Sequence, residues 1–388
     1  MTLTSQLEIQ NSVPETVADL LRRLMEQDVV DALLVPQRLS TGNNVVQTLV
    51  RDPDRLERID PFAPVMPVMS AKLAGNVTKL GAAGRVGLVM RSCELRGFIE
   101  LVKLQQASME EVITIGVDCL GTYEMTDYAR LIAEGVDPTA EALAAAAEGR
   151  VAPRKGYQFR TACQMCEYPT PRFEDGYRPD IAIGLIGVDG GGLLVEARDD
   201  RSAEGSRRSL AETMGLTPAD APPGRAAALE KLIAKRIAER DRRFTDFRAQ
   251  VGGLDGLLAY FSTCIRCHNC MIACPICYCP ECIFRTPTFD HTSEQYFRWA
   301  DRKGAIRMPT DTLIFHITRM NHMSTSCVGC GMCTSACPND IPVATAFRAV
   351  AEKTQAIYDY VAGRNLEEEV PLATFREDEL TALGERPE

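Results

Sequence analysis

The feature that most constrains this chain is a run of cysteines that occurs twice between residues 264 and 338. Both copies read C-x2-C-x2-C-x3-C-P, so a proline follows the fourth cysteine each time. Three thiols at this spacing can wrap one face of a metal cluster in a tight loop, whereas the fourth must come from elsewhere in the fold. The two runs contain Cys264, Cys267, Cys270 and Cys274, and then Cys327, Cys330, Cys333 and Cys337.

This spacing is that of proteins with two [4Fe–4S] clusters, in which the fourth cysteine of each run binds the cluster of the other run. Gly329 and Gly331 let backbone N–H groups approach the sulfur atoms, which helps to set the reduction potential. The alternative is a pair of zinc sites or buried thiols, but structural zinc prefers two C-x2-C pairs. We therefore predict one cluster on Cys264, Cys267, Cys270 and Cys337, and a second on Cys327, Cys330, Cys333 and Cys274.

Composition narrows the class of protein. The 388 residues are enough for two or three domains, and the net charge of −10 argues against nucleic acid as a partner. No apolar run reaches membrane-spanning length, and residues 1–15 lack the basic and apolar regions of a signal peptide. We therefore expect a cytoplasmic protein whose fifteen cysteines are reduced and metal-bound rather than paired in disulfides.

The clearest pattern outside the cysteine runs is a β-α-β unit. Residues 86–91 and 112–117 are apolar runs typical of buried strands, and residues 94–105 between them have the periodicity of an amphipathic helix. The two strands should therefore be parallel. Cys93 and Cys119 each follow one of these strands, which places both at the carboxyl edge of one sheet, where α/β folds bind ligands. Either cysteine alone is equally typical of a small buried residue.

The chain as a whole is predicted to divide into four parts. We expect an α/β domain with a partly parallel sheet over residues 1–200, followed by a linker and a long helix over 201–255. An α+β ferredoxin-like domain with two [4Fe–4S] clusters should cover residues 256–345, with an insertion at 283–325. A C-terminal helix and tail complete the chain over 346–388.

Eight of the fifteen cysteines belong to the two runs, which leaves seven. Three of these are one thiolate short of a cluster, so they either bind a metal with a non-cysteine ligand or pack beside the neighbouring cluster; these are Cys277, Cys279 and Cys282. We expect them to form no disulfide. The other four would suffice for a third [4Fe–4S] cluster, although a lone C-x2-C also occurs in redox pairs and zinc sites; these are Cys93, Cys119, Cys163 and Cys166.

These residues resemble the coenzyme F420 hydrogenase/dehydrogenase beta-subunit family. The segments RSCELRG, ITIGVDC and DIAIGLIG, together with the C-x2-C pair at 163–166, carry the resemblance over about residues 65–200. The two cysteine runs are similar to those of the longer members, the formate dehydrogenase beta subunits with a C-terminal ferredoxin domain. The resemblance implies one FAD and one [4Fe–4S] cluster in the first domain, a site for coenzyme F420 as substrate, and a separate catalytic subunit that oxidises formate or hydrogen.

The predicted path of electrons runs from the clusters through a flavin to F420. Clusters pass single electrons and F420 accepts a hydride, so a flavin must connect them. The chain is thus predicted to be the electron-transfer beta subunit of a formate dehydrogenase. No G-x-G-x-x-G motif supports a nicotinamide site. The residues expected to bind the phosphate-bearing cofactor are Arg91, Arg96, Gly184 and Gly187. The two arginines are equally typical of surface charges.

A second hypothesis retains the iron–sulfur clusters but gives the chain a different function. In it the chain is a non-catalytic iron–sulfur protein that links a dehydrogenase or hydrogenase to another redox complex, such as a heterodisulfide-reductase-like complex, or to a different acceptor. Flavin content separates this hypothesis from the first.

Overall fold

The computed structural model describes residues 2–173, 175–188, 192–198, 209–304, 310–371 and 373. Its first half contains one mixed sheet with the strands β1 (Thr2–Glu8), β2 (Ala32–Arg38), β3 (Val45–Val50), β4 (Val86–Arg91), β5 (Val112–Val117), β6 (Ile181–Gly184) and β7 (Gly192–Arg198). The helices of this half are α1 (Val13–Glu26), α2 (Ser70–Thr78), α3 (Ser92–Lys103), α4 (Met125–Ala133), α5 (Pro138–Ala147) and α6 (Thr161–Gln164).

The order of strands across the sheet is β1-β7-β6-β5-β4-β2-β3. The central strands β2, β4, β5 and β6 are parallel, whereas β3 pairs antiparallel with β2, and β7 pairs antiparallel with both β6 and β1. Every residue of β4 and β5 is buried, as expected for parallel strands covered on both faces. The predicted β-α-β unit is confirmed, because both strands have the predicted bounds.

The second half consists of helices and loops. Its helices are α7 (Leu210–Met214), α8 (Pro223–Gln250), α9 (Leu254–Tyr260), α10 (Asn269–Ile272), α11 (Ser293–Lys303), α12 (Thr310–Met323), α13 (Met332–Ser335) and α14 (Val343–Ile357). The helix α7 lies where a linker was predicted, and residues 199–208 of that linker are outside the described residues. No described helix is both long and apolar enough to cross a membrane.

The α+β class predicted for residues 256–345 is wrong in its strand content. Over 256–304 and 310–345, the parts of this region that the structure describes, there are helices and loops and no strand. The reason lies in the cysteine spacing. A strand points successive side chains to opposite faces, whereas every third residue here must turn to the same side. Tight loops followed by the one-turn helices α10 and α13 meet that need.

The cysteine-rich region shares its hydrophobic core with the helices on either side of it. Phe244 and Phe247 of α8 pack with Tyr260 and Phe261, and Phe347 of α14 joins the same cluster. The long helix predicted within residues 201–255 is confirmed as α8, and it is part of this core. A fragment of residues 256–345 would lack Phe244, Phe247 and Phe347.

Two further contacts attach this region to the first domain. Val328 and Met332 pack in one hydrophobic cluster with Phe98 of α3. The segment after α14 returns to the same helix, where the Gly363 amide donates to Glu100 Oε1 at 2.7 Å and Arg96 Nε donates to the carbonyl of Ala362 at 3.0 Å. The region is thus attached through α8 at one end and through residues 360–363 at the other.

Candidate metal centres

Four thiols meet beside the carboxyl edge of the sheet. Cys93 lies in the first turn of α3, directly after β4, and Cys119 lies just after β5. Burial raises the pKa of Cys93, and the neighbouring Cys119 and Cys166 thiols raise it further. Burial and the nearby Cys163 thiol raise the pKa of Cys119 to about 11. The structure therefore brings Cys93, Cys119, Cys163 and Cys166 together; they are called the first-domain set below.

A second group of thiols contains cysteines from both runs. Burial raises the pKa of Cys270 to about 11, and the Cys264, Cys267 and Cys337 thiols add to the effect. Cys264 in turn is close to Cys267 and Cys337. Cys337, the fourth cysteine of the second run, thus lies with the first three of the first run. These four thiols are called set one.

The reciprocal arrangement occurs in the other loop. Burial raises the pKa of Cys330 to about 12, and the Cys274 and Cys327 thiols raise it further. Cys333 is close to the same three thiols. Cys274 of the first run has therefore joined Cys327, Cys330 and Cys333 of the second, and these four are called set two. This is the exchange of fourth ligands that the cysteine spacing predicts.

The chemistry of these groups suits iron–sulfur clusters. In each set burial and a neighbouring thiol raise the pKa of at least one cysteine, namely Cys93, Cys270 and Cys330. Cluster binding needs thiolates, so bound iron would supply the compensating charge. In a [4Fe–4S] cluster each thiolate binds a different iron, so the four sulfurs stand around a cube and not around one ion. No three His, Cys, Asp or Glu side chains of the described ranges are grouped as ligands of a single metal ion.

The two cysteine loops have matching backbone conformations. The residues before and after the second cysteine have positive φ in both runs, at Arg266 and His268 in the first and at Gly329 and Gly331 in the second. A Cβ on Gly331 would come 2.3 Å from the Cβ of Ala162, so glycine is required there by packing against α6 as well as by φ. The second loop is the one pressed against the first domain.

The three sets lie in series. Set one contains Cys337 of the second run and set two contains Cys274 of the first, and the Cys330 thiol of set two is close enough to Cys93 of the first-domain set to raise its pKa. Arg160 lies at this second junction, where its Nη2 donates to the carbonyl of Cys330 at 2.7 Å. The series therefore runs from set one through set two to the carboxyl edge of the sheet.

Several buried side chains beside the thiols were not predicted. In α12, His316 Nε2 lies 3.3 Å from Cys264 Sγ, and Arg319 Nη1 donates to Cys270 Sγ at 3.1 Å. Arg348 of α14 pairs with Glu167 at 2.6 Å and lies near Cys327 and Cys166. His316 and Arg319 lie on α12 and Arg348 lies on α14, outside the two cysteine runs, so no spacing in the sequence signals them. The insertion at 283–325 nonetheless supplies α12, which covers set one.

The residues predicted to bind a phosphate-bearing cofactor are placed differently from expectation. Arg91 donates to the carbonyls of Val65 and Ala63, and Arg96 donates to those of Val328 and Ala362. Both arginines are buried, so the alternative of surface charges is wrong. A role for them in cofactor binding stays a prediction.

The two glycines predicted for the same cofactor lie against the long helix. A Cβ on Gly184 would come 2.9 Å from the Arg225 guanidinium, and one on Gly187 would come 2.9 Å from the Arg225 Cα. Close packing of α8 on the end of β6 is therefore sufficient reason for glycine at both positions. Their role as cofactor ligands also stays a prediction.

The remaining three cysteines lie beside set two. In the structure all fifteen cysteines are free thiols, Cys277, Cys279 and Cys282 among them. The Cys277 thiol is close to Cys274 and Cys282. All three line a cavity of about 370 Å³, together with Arg319 and His322.

Changing Cys163 to Ala tests the first-domain set. If this set holds a [4Fe–4S] cluster, the variant should lose about four iron atoms and one paramagnetic centre on reduction, because one iron loses its thiolate. The signals of the other two clusters should remain. Iron analysis and electron paramagnetic resonance of the full chain measure both. Unchanged iron content and spectra would count against a cluster at this site.

Comparison with known proteins gives a consistent result. A 4Fe-4S binding domain matches residues 322–343. The chain is 25% identical over 370 residues to the F420-dependent formate dehydrogenase subunit beta of Methanocaldococcus jannaschii, covering 89% of this chain and 91% of that protein. It is 24% identical over 381 residues to the F420-dependent formate dehydrogenase 1 subunit beta of Methanococcus maripaludis, covering 92% of each.

Among solved structures, a chain of the F420-reducing [NiFe] hydrogenase complex from Methanosarcina barkeri aligns with a TM-score of 0.45 and 14% identity, covering 66% of this chain and 94% of that chain. The two sequence relatives match about nine tenths of this chain and of their own lengths. The chain is therefore similar to beta subunits of F420-dependent formate dehydrogenases, and residues 322–343 match a 4Fe-4S binding domain.

Proposed function

We propose that this chain is the electron-transferring beta subunit of a formate dehydrogenase, which passes electrons through three [4Fe–4S] clusters to FAD and on to coenzyme F420. The observation that carries the proposal is the series of three four-thiol sets, in which Cys330 of the second lies close to Cys93 of the third. The two sequence relatives are F420-dependent formate dehydrogenase beta subunits, which supports formate as the electron donor and F420 as the acceptor.

In the proposed relay the thiolates, the core side chains and two buried arginines would have different roles. The twelve thiolates would hold the clusters, which exchange single electrons when bound. The aromatic and aliphatic side chains of the shared core pack against the partly buried thiols of Cys274 and Cys333 in set two. Arg319 and Arg160, each buried, place a positive charge at the junctions between successive sets. A catalytic subunit would supply the electrons that enter this series.

The binding sites for FAD and F420 are less well defined by the residues than the three cysteine sets are. Of the residues predicted to bind FAD or F420, Arg91 and Arg96 donate to backbone carbonyls, and Gly184 and Gly187 abut Arg225. Arg91 also lines a cavity of about 80 Å³. FAD therefore enters the proposal because a one-electron carrier and a hydride carrier need an intermediary. No step is assigned to these four residues.

The contacts of these four residues with the protein itself favour a second candidate function. An iron–sulfur relay without flavin would need no cofactor site beside the sheet, and it would connect a dehydrogenase to another redox protein. The matches with known proteins give no support for a heterodisulfide-reductase-like complex as that protein.

Purifying the complex and supplying formate tests the proposal. We expect the complex to contain flavin and about twelve iron atoms per beta subunit, and to reduce F420 in preference to NAD or NADP. Reduction of a nicotinamide without reduction of F420 would contradict the acceptor. A complex that contains iron but no flavin would contradict the proposed FAD site and the proposed reduction of F420. The iron–sulfur relay would then be the remaining function.

A further inference from the structure

Arg319 is buried between the thiols of set one and set two. It belongs to α12, in the insertion between the two cysteine runs, and only 2% of it is exposed. Its Nη1 donates to Cys270 Sγ at 3.1 Å, and its Nη2 donates to the carbonyl of the same residue at 3.1 Å. One guanidinium therefore donates hydrogen bonds to both the sulfur and the carbonyl oxygen of a set-one cysteine.

The same guanidinium also faces set two. It interacts electrostatically with the thiols of Cys274 and Cys333, both members of that set. Two rings hold it in place, since its guanidinium carbon lies 5.3 Å from the ring centre of Phe315 and 4.9 Å from that of Phe347. The groups facing Arg319 from the described residues thus include two aromatic rings, cysteine thiols from both sets, the Cys277 thiol, which is its hydrogen-bond partner, and the imidazoles of His316 and His268.

A charge in this position acts on reduction potential. An arginine side chain stays protonated in proteins, and reduction adds negative charge to a cluster. A fixed positive charge therefore stabilises the reduced form and raises the potential, and hydrogen bonds to ligand sulfur act in the same direction. Low dielectric surroundings strengthen both effects. The set-one thiols receive both the positive charge of Arg319 and its hydrogen bond to sulfur, whereas the set-two thiols receive only the charge.

Arg160 offers a natural comparison at the other junction. It is also buried, and it interacts with the thiols of Cys163, Cys330 and Cys93. It donates to the carbonyl of Cys330 and to the Ser335 hydroxyl, and its Nε lies 4.0 Å from Glu124. Its contacts with the described cysteines thus include no hydrogen bond to sulfur, and a carboxylate offsets part of its charge.

We propose that Arg319 is a positioning residue that sets the reduction potentials of the two ferredoxin-type clusters, acting through their cysteine ligands and raising that of the set-one cluster most. The proposal rests on the proposed clusters. It makes the insertion at 283–325 a functional part of the electron path.

The test compares variants of the full chain in redox titrations followed by electron paramagnetic resonance. Loss of one signal in Cys267→Ala identifies the set-one cluster. Arg319→Gln should lower the midpoint potential of that cluster by at least about 59 mV, which is a tenfold change in its reduction equilibrium for one electron. The set-two potential should fall by less. Arg319→Lys keeps the charge, so its shift should be smaller than that of the glutamine variant.

Two controls accompany these variants. Arg302→Gln removes an exposed arginine of α11 in the same insertion and should shift neither potential. Arg160→Gln should leave the set-one potential unchanged. An unchanged set-one potential in an Arg319→Gln protein with full iron content would overturn the proposal. So would loss of iron from both Arg319 variants, since the arginine would then be structural. Absence of clusters from the unsubstituted chain would instead refute the proposed function.

Discussion

Replacing Cys274 with alanine should remove about four iron atoms from the chain and stop formate-driven electron transfer through it. Cys274 belongs to the first cysteine run, yet its thiol lies with those of Cys327, Cys330 and Cys333. The lost cluster should therefore be that of set two, in the middle of the series. With the middle cluster gone, electrons from set one have no neighbouring acceptor.

The control is Cys277→Ala, three residues further along the chain. Cys277 is a free thiol close to Cys274, but it is in none of the three sets. That variant should keep its iron content and its electron transfer. Iron analysis, spectra of the reduced chain and formate-dependent reduction of the acceptor give the comparison. The exchange of ligands would be refuted if Cys274→Ala removed the signal that Cys267→Ala removes.

Replacing Asp118 with alanine should lower the local free energy of unfolding at the carboxyl edge of the sheet by about 3–5 kcal/mol. Asp118 is buried, and its carboxylate accepts from both Nη atoms of Arg225, at 2.7 and 3.0 Å. It also accepts from the amides of Leu185 and Ile186, at 2.9 and 3.0 Å. The substitution would leave the buried Arg225 charge without its partner, which is costly.

Native-state hydrogen exchange is the suitable measurement, because it reports local opening without assuming a two-state transition. The amides of Leu185 and Ile186 should exchange faster in the variant. Asp246→Ala, which removes an exposed i,i+4 partner of Arg242 in the same long helix, should cost under about 0.5 kcal/mol. Equal effects of the two substitutions would contradict the assignment of a buried pair. Cys119 follows Asp118 directly, so the same variant should also loosen the first-domain set.

The sequence was most informative where one physical requirement acts along the chain. Strands β4 and β5 were predicted with their bounds because parallel central strands are apolar on both faces. The exchange of Cys274 and Cys337 followed from spacing alone. The strands β1 and β3 were missed, because edge strands bury few of their residues. In β1, which has five polar and two apolar residues, only Ser5 is buried, and in β3 only Val45 and Val50 are buried.

What the sequence did not reveal depends on contacts between distant residues. Nothing in the letters around Arg319 distinguishes it from the exposed arginines of α11, because its burial results from how α12 packs between the cysteine loops. Arg91 and Arg96 could not be identified as backbone-bound, since their carbonyl partners lie in other segments. Gly184 and Gly187 likewise owe their small size to Arg225, which lies on α8.

The attachment of the cysteine-rich region at both of its ends has a consequence for the speed of electron flow. Domains joined by one linker usually move relative to each other, and such swings take microseconds to milliseconds. Here α8 at one end and the contacts of Ala362 and Gly363 at the other hold the region against α3. Electron tunnelling slows steeply with distance, so in the proposed relay this attachment would fix the distance between the clusters at Cys330 and Cys93 when the chain folds. Electron transfer between those clusters would then need no diffusive step, and solvent viscosity should not limit it.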